Sequence, residues 1–198
     1  INGCLVGSEM CIRDRLCGDS EFHWAKFTVS KGFIEKEVYL KKIKAFEIDY
    51  RSGNLDFDEY CSFLLHPLIG MNVDDLDELV SEFIESHKEK LIDPMTFDLL
   101  KRHEDDFRLV ASGSLDFIVK GFTNYFELDA YLGSSYEVVD NKISGKLTKA
   151  AFAQGKLEKV REWCQKNGYI VEESFFYTDS INDLPSVSYT HLTLPTNC

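Results

Sequence analysis

Near residue 90 the spacing of apolar residues changes from a purely helical period to alternating strand and helix periods, and this change limits the fold more than any other feature of the chain. Before it, the pattern is helical throughout. Asp19 or Ser20 can cap a helix that runs to about Gly32, with Phe22, Ala25 and Val29 on one face. Tyr39, Ile43, Phe46 and Tyr50 repeat at helical spacing in a second helix. Asp56 and Glu59 match a capping box that opens a short helix ending near Pro67. Asn72 can cap a fourth, with Leu76, Val80, Phe83 and His87 along its face.

Beyond residue 90 the elements alternate. Asp93-Pro94 starts a helix, with proline at its tolerated first position. Phe107 to Ala111 is a short apolar strand, and a helix follows from about Leu115 to Leu128. Val138 to Leu147 has the pattern of a hairpin turning at Asp140-Asn141. Gln154 to Asn167 is a helix that Gly168 ends, and Ser174 to Thr178 is a second buried strand. Such alternation predicts an α/β fold with a parallel sheet, into which the four-helix unit is inserted.

The 198 residues suffice for one domain and a smaller insert. A formal net charge of -12 repels nucleic acid and anionic membranes, so neither is the expected partner. The acids of Asp74 to Glu85 are expected on a solvated face. Six cysteines (Cys4, Cys11, Cys17, Cys61, Cys164 and Cys198) form no C-x-x-C pair and no zinc-type grouping with histidine, which fits a reducing cytoplasm. Histidines 23, 66, 87 and 103 show no ligand spacing and are expected at surface or half-buried positions. No apolar run reaches membrane-spanning length.

In open α/β sheets ligands bind beyond the carboxyl ends of the strands, and two strand ends here are rich in chemistry. The first reads LVASGS. Ser112, with the amides of Gly113 and Ser114, would sit at a helix N-terminus and could cradle a phosphate; an ordinary N-cap is the alternative. The second reads FFYTDSINDLP. Asp179 follows an apolar strand directly, and Asn182 and Asp183 lie in the next turn. Two carboxylates suit a hard cation such as Mg2+, while an Asx-turn capping the next helix explains the same residues. Lys156 opens the helix after the hairpin, where a cation opposes the helix dipole unless it serves an anion; on its own it reads as an exposed surface lysine.

Both ends of the chain depart from these patterns. Ser8 to Arg15 can be encoded AGT GAG ATG TGT ATA AGA GAC AGA, whose reverse complement translates as Ser186 to Thr193. A mirror over consecutive codons resembles library-adapter sequence read through on both strands. Residues 1–15 and 186–198 are therefore expected to be a non-native leader and tail.

Taken in order, a serine after one strand, a lysine opening a helix and a DSxND run after the next strand resemble the later motifs of haloacid dehalogenase (HAD) superfamily phosphatases. The flanking GDSEFHWAKF and SFFYTDSINDLP are most similar to the phosphoserine-phosphatase and histidinol-phosphate-phosphatase subgroup, over about Leu16 to Pro185. The resemblance implies a Rossmann-like parallel core with an α-helical cap, and Mg2+-dependent hydrolysis of a small phosphomonoester through an aspartyl-phosphate. It implies that Ser112 bonds the phosphoryl group, with Gly113 and Ser114 beside it, and that Lys156 neutralises its charge. Asp179 would ligate Mg2+, Asp183 would support the metal shell, and Asn182 would lie near the phosphate. Asp19 would face a cationic amine on the substrate.

The family's first motif, Asp-x-Asp-Gly-Thr, is absent. Counting back from Asp19 puts Met10 at the nucleophile position and Ile12 at the acid/base position, and neither side chain can do that chemistry. The central first strand is thus missing or replaced, with Cys4-Leu5-Val6 as the candidate replacement. The expected organisation is a leader at 1–15, a helical cap at 16–90, a partial α/β core at 91–185 and a tail at 186–198. The parent is expected to be an enzyme and the chain as written inactive. A pseudophosphatase that binds phosphorylated ligands is the alternative; a phosphoacceptor signalling domain fits the large helical insert poorly.

Overall fold

The computed structural model describes residues 3–7, 20–151, 154–170, 174–177 and 191–192. Its helical insert comprises α1 (Ser20–Ser30), α2 (Lys36–Ser52), α3 (Phe57–Leu65), a 3-10 turn (His66–Leu68) and α4 (Val73–Leu91). The start of α3 is as expected: the Asp56 carboxylate accepts the Glu59 N–H at 2.9 Å. Gly53, at φ 76°, closes α2 in the left-handed conformation. Asn72 occupies the position before α4 but does not cap it; its side-chain amide donates to Asp75 at 3.2 Å instead. The buried face of α1 also differs from the expected one. Ser20, Glu21, Trp24, Ala25, Phe27 and Thr28 are buried, while Phe22 and Val29 flank the core, because two long helices rather than one cover α1.

The second half contains α5 (Met95–Arg102), α6 (Asp116–Tyr125) and α7 (Gln154–Asn167). Its strands are β2 (Phe107–Leu115), β3 (Ala130–Val139), β4 (Lys142–Lys149), β5 (Phe175–Tyr177) and β6 (His191–Leu192). Pro94 lies one residue before α5 rather than at its first position, and the Asp93 carboxylate accepts the Met95 N–H at 2.8 Å. Helix α6 stops three residues short of Leu128, because Glu127 turns left-handed at φ 53° and the Leu128 N–H bonds back to Thr123. The hairpin turns at Asp140 and Asn141 as expected, with φ 50° and 60°.

Gly3–Gly7 forms β1, so a strand does stand where the family's first strand belongs. The sheet order is β4-β3-β2-β1-β5-β6, parallel except for β4. The chain builds outward from β1 through β2 and β3, then returns to β5 on the other side, which makes the end of β1 a topological switch point. Registers align there: Gly7 lies opposite Ala111 and Val6 opposite Tyr177. Strand β5 is less buried than predicted, with Phe175 39% exposed. His103, expected near the surface, is buried instead. Its Nδ1 pairs with Asp106 at 2.7 Å and its Nε2 with the Tyr177 hydroxyl at 2.6 Å, which ties the end of α5 to β5.

One apolar core joins the helical insert to α6, and a smaller one lies between α7 and the sheet. The larger depends on a close approach of α4 to α6 at Gly121, where an added Cβ would meet Val80 Cγ1 at 2.3 Å and Ile84 Cδ1 at 2.9 Å. Gly121→Ala is therefore expected to lower stability by about 1–3 kcal/mol, the range for overpacking, despite alanine's better helix propensity. Urea denaturation checks this; an unchanged midpoint would mean that the two helices separate freely. The β3–β4 hairpin also reaches the insert: Gly70 N–H donates to Ile143 O at 2.9 Å, and Ile143 N–H to Met71 O at 3.0 Å.

Candidate active site

The end of β2 is not a plain strand end. Ala111 pairs with Leu132 and Leu115 with Ser134, so β2 places three residues, Ser112 to Ser114, where β3 places only Gly133. The surplus bulges out, as strands often do beside active sites. Ser112 is 1% exposed, and its Oγ accepts the Ser114 N–H at 3.2 Å. A phosphoryl oxygen entering here would compete with the hydroxyl for that donor. Gly133 permits the bulge: a Cβ there would lie 2.8 Å from Ser114 O and 2.8 Å from Asp116 Oδ1. The Gly133 N–H donates to Asp116 at 2.9 Å. Strand β2 thus extends past Ala111, and Ser112 to Ser114 stand in its irregular last turn rather than at a helix start, because α6 begins only at Asp116.

Lys156 lies in the first turn of α7 and is 1% exposed, so the reading of an isolated surface lysine fails. A fully buried ammonium at the positive end of a helix is costly in both desolvation and dipole terms. Gly155 lets the helix start close to the preceding chain, since a Cβ there would lie 2.8 Å from Ala150 O. One turn on, Lys159 is also buried and donates to Gly133 O and, at 2.9 Å, to Ser135 Oγ. Burial lowers its pKa below the usual lysine value, with Asp116 opposing the shift.

Two further side chains hold this region, and neither carries a motif that marks it in sequence. The Ser134 hydroxyl donates to Gly113 O at 2.5 Å and accepts the Ala151 N–H at 2.9 Å. It thereby places the bulge of β2 and the chain entering α7 within reach of one oxygen. Glu21, on α1, is 4% exposed, and its Oε1 accepts the Leu115 N–H at 3.0 Å, which joins the insert to the start of α6. The nearby Cys61 thiol is pushed up, mainly by burial and further by Glu21 and Asp58.

Of the residues singled out in sequence, Ser112, Gly113 and Ser114 lie in the bulge of β2 and Lys156 in the first turn of α7, and Ser134 bonds both to Gly113 and to Ala151 shortly before α7. Met10, Ile12, Asp19, Asp179, Asn182 and Asp183 lie outside the described residues. Tyr177, the last residue of β5, lies opposite Val6, one residue before the end of β1. Among the described residues no three His, Cys, Asp or Glu side chains group as a metal site. An open cleft of about 390 Å³ runs along the outer side of β3, past Tyr131, Lys149 and Lys159. Neither Ser112 nor Lys156 lines it, and Lys149 there is already paired with Glu162 at 2.6 Å.

The chain thus combines a parallel α/β core, a polar bulge at the end of its second strand, a buried lysine in the first turn of a later helix and a helical insert. The chain belongs to the haloacid dehalogenase-like hydrolase family, whose model matches residues 16–188. It is 28% identical over 174 residues to a histidinol-phosphatase of Neisseria meningitidis, covering 84% of this chain and 78% of that one. The fold matches a Bordetella pertussis protein of unknown function with a TM-score of 0.81 at 20% identity, over 93% of this chain and 85% of that one. It also matches a substrate-bound phosphoserine phosphatase with a TM-score of 0.59 at 15% identity, over 96% and 83% of the two chains. The family and the phosphatase subgroup expected from the ordered motifs are thereby borne out, and the chain is a phosphatase by resemblance.

Proposed function

We propose that the parent of this chain hydrolyses a small phosphomonoester carrying a cationic amine, of the histidinol phosphate or phosphoserine kind, with Mg2+ as its cofactor. The order of the motifs carries this reading: a serine at the end of one strand, a buried lysine in the first turn of a later helix and then a DSxND run, in a chain whose family model spans residues 16–188. In this scheme Ser112 and the Gly113 and Ser114 amides hold the phosphoryl oxygens, and Lys156 balances their charge. Asn182 lies beside the phosphate and Asp19 faces the amine. The helical insert, residues 16–90, excludes water over the 91–185 core.

Asp179 and Asp183 offer the oxygen donors that Mg2+ prefers, while Met10 offers only a thioether where the family has a third carboxylate. Bound there, Mg2+ would polarise the phosphoryl group. In the parent, an aspartate at position 10 would attack phosphorus as the bond to the leaving alcohol breaks. One at position 12 would protonate that alcohol and then activate water. With Met10 and Ile12 in those places, this chain is expected to show no Mg2+-dependent release of p-nitrophenolate from p-nitrophenyl phosphate, and measurable release would overturn that expectation. It should still bind inorganic phosphate, about tenfold more weakly after Ser112→Ala, the usual cost of one hydrogen bond to a charged group.

The two replaced carboxylates also favour a second reading, a phospholigand-binding protein without turnover. Sequencing the source DNA separates the two. An Asp-x-Asp-Gly-Thr run joined to Leu16 supports the enzyme, and intact codons for Met10 to Arg15 support the binder.

A further inference from the structure

The bulge of β2 and the entry to α7 come from separate parts of the chain, yet a shared phosphoryl group must meet Ser112 on one and Lys156 on the other. Two hydrogen bonds tie these segments to β3, one from each, and both use one atom, the Ser134 hydroxyl oxygen. Ser134 is 0% exposed, and its hydroxyl proton goes to Gly113 O at 2.5 Å. Its lone pair takes the Ala151 N–H at 2.9 Å. A hydroxyl has one proton to give, so the Gly113 bond fixes which way it points and leaves the oxygen to accept from Ala151.

The bulge makes this need specific. Gly113 is the middle of the three residues that β2 places opposite Gly133, so its carbonyl has no regular ladder partner. Ala151 is likewise fully buried, between the end of β4 and the start of α7. An apolar side chain at 134 would leave a buried carbonyl and a buried amide without partners, and each would seek one by moving. Moving either changes the separation of Ser112 and Lys156. Lys159, bonded to the flanking Gly133 O and Ser135 Oγ, holds β3 itself in place, so Ser134 acts from a fixed strand.

We propose that Ser134 is a positioning residue that sets the spacing between the serine and the lysine of the phosphoryl site by bridging Gly113 and Ala151. This inference rests on the phosphoryl reading of the site given above. The hydroxyl touches no substrate; it acts through the two backbone groups it holds.

The test uses the full chain, inorganic phosphate titrated by 31P NMR, and amide hydrogen exchange at Ala151. Ser134→Ala should weaken phosphate binding about tenfold and speed Ala151 exchange at least tenfold, roughly the loss of one buried hydrogen bond. Ser134→Thr, which keeps the hydroxyl, should restore both. A Ser134→Ala chain that is less stable but binds phosphate as wild type does would reduce Ser134 to a structural role and overturn the proposal. If Ser134→Ala does not fold, Ala151 exchange in the wild-type chain decides: a rate equal to that of an unprotected amide overturns the bridge, and protection supports it. A wild-type chain that protects Ala151 but has no affinity for phosphate overturns the phosphoryl reading instead, and the positioning role with it.

Discussion

A Trp24→Ala chain is expected to lose about 3–5 kcal/mol of stability, the usual cost of truncating a fully buried aromatic side chain. Trp24 is 0% exposed and joins three helices. Its ring lies 5.1 Å from Phe117 on α6, 5.3 Å from Phe83 on α4 and 5.6 Å from Phe27 on its own helix. Removing it opens a cavity where the helical insert meets the α/β half, so the insert should loosen before the sheet does. Trp24→Phe separates packing from polarity. The indole Nε1–H has no hydrogen-bond partner among the described residues, and a buried orphan donor costs about 1–3 kcal/mol. Phenylalanine removes that cost while keeping one ring, so it should be much milder than alanine. Urea denaturation followed by far-UV circular dichroism gives both values. A loss below about 1 kcal/mol for Trp24→Ala would mean that α1 does not pack as described.

Lys156→Met is expected to weaken phosphate binding beyond any effect on packing. Methionine fills a similar volume without the charge. Lys156 is 1% exposed, so a side chain of like volume is needed there. The same change removes the cation proposed to face the phosphoryl group, so phosphate affinity should fall by about 10- to 100-fold, as for a charge-assisted bond of about 1.5–3 kcal/mol. Thermal unfolding and phosphate titration on one preparation read both effects. If stability collapses while affinity holds, Lys156 is a structural cation and the phosphoryl site lies elsewhere.

Much of this architecture was legible in the spacing of residues. Helical period over residues 20 to 90, then alternation, predicted an insert and a parallel sheet, because burial on one helix face or on both strand faces leaves a direct trace in hydrophobic order. Asp56, the Asp140-Asn141 turn and the bounds of α7 were equally plain, since caps and tight turns depend on the residues at hand. Chain order also put Ser112 at a strand end and Lys156 in the first turn of a later helix, where the structure has them.

Tertiary structure alone decided the rest. That Lys156 is buried rather than solvated, and that His103 is enclosed by Asp106 and Tyr177, depends on elements distant in sequence. The β2 bulge is a mismatch between two strands and has no signature in either. Gly133 and Gly121 matter for what approaches them, and Ser134 and Glu21 for backbone groups 17 residues or more away. The pairing of Gly3–Gly7 with β2 and β5 is of the same kind: Cys4-Leu5-Val6 was no more than a candidate in sequence, because strand pairing is set by long-range hydrogen bonds, which local residue order does not encode.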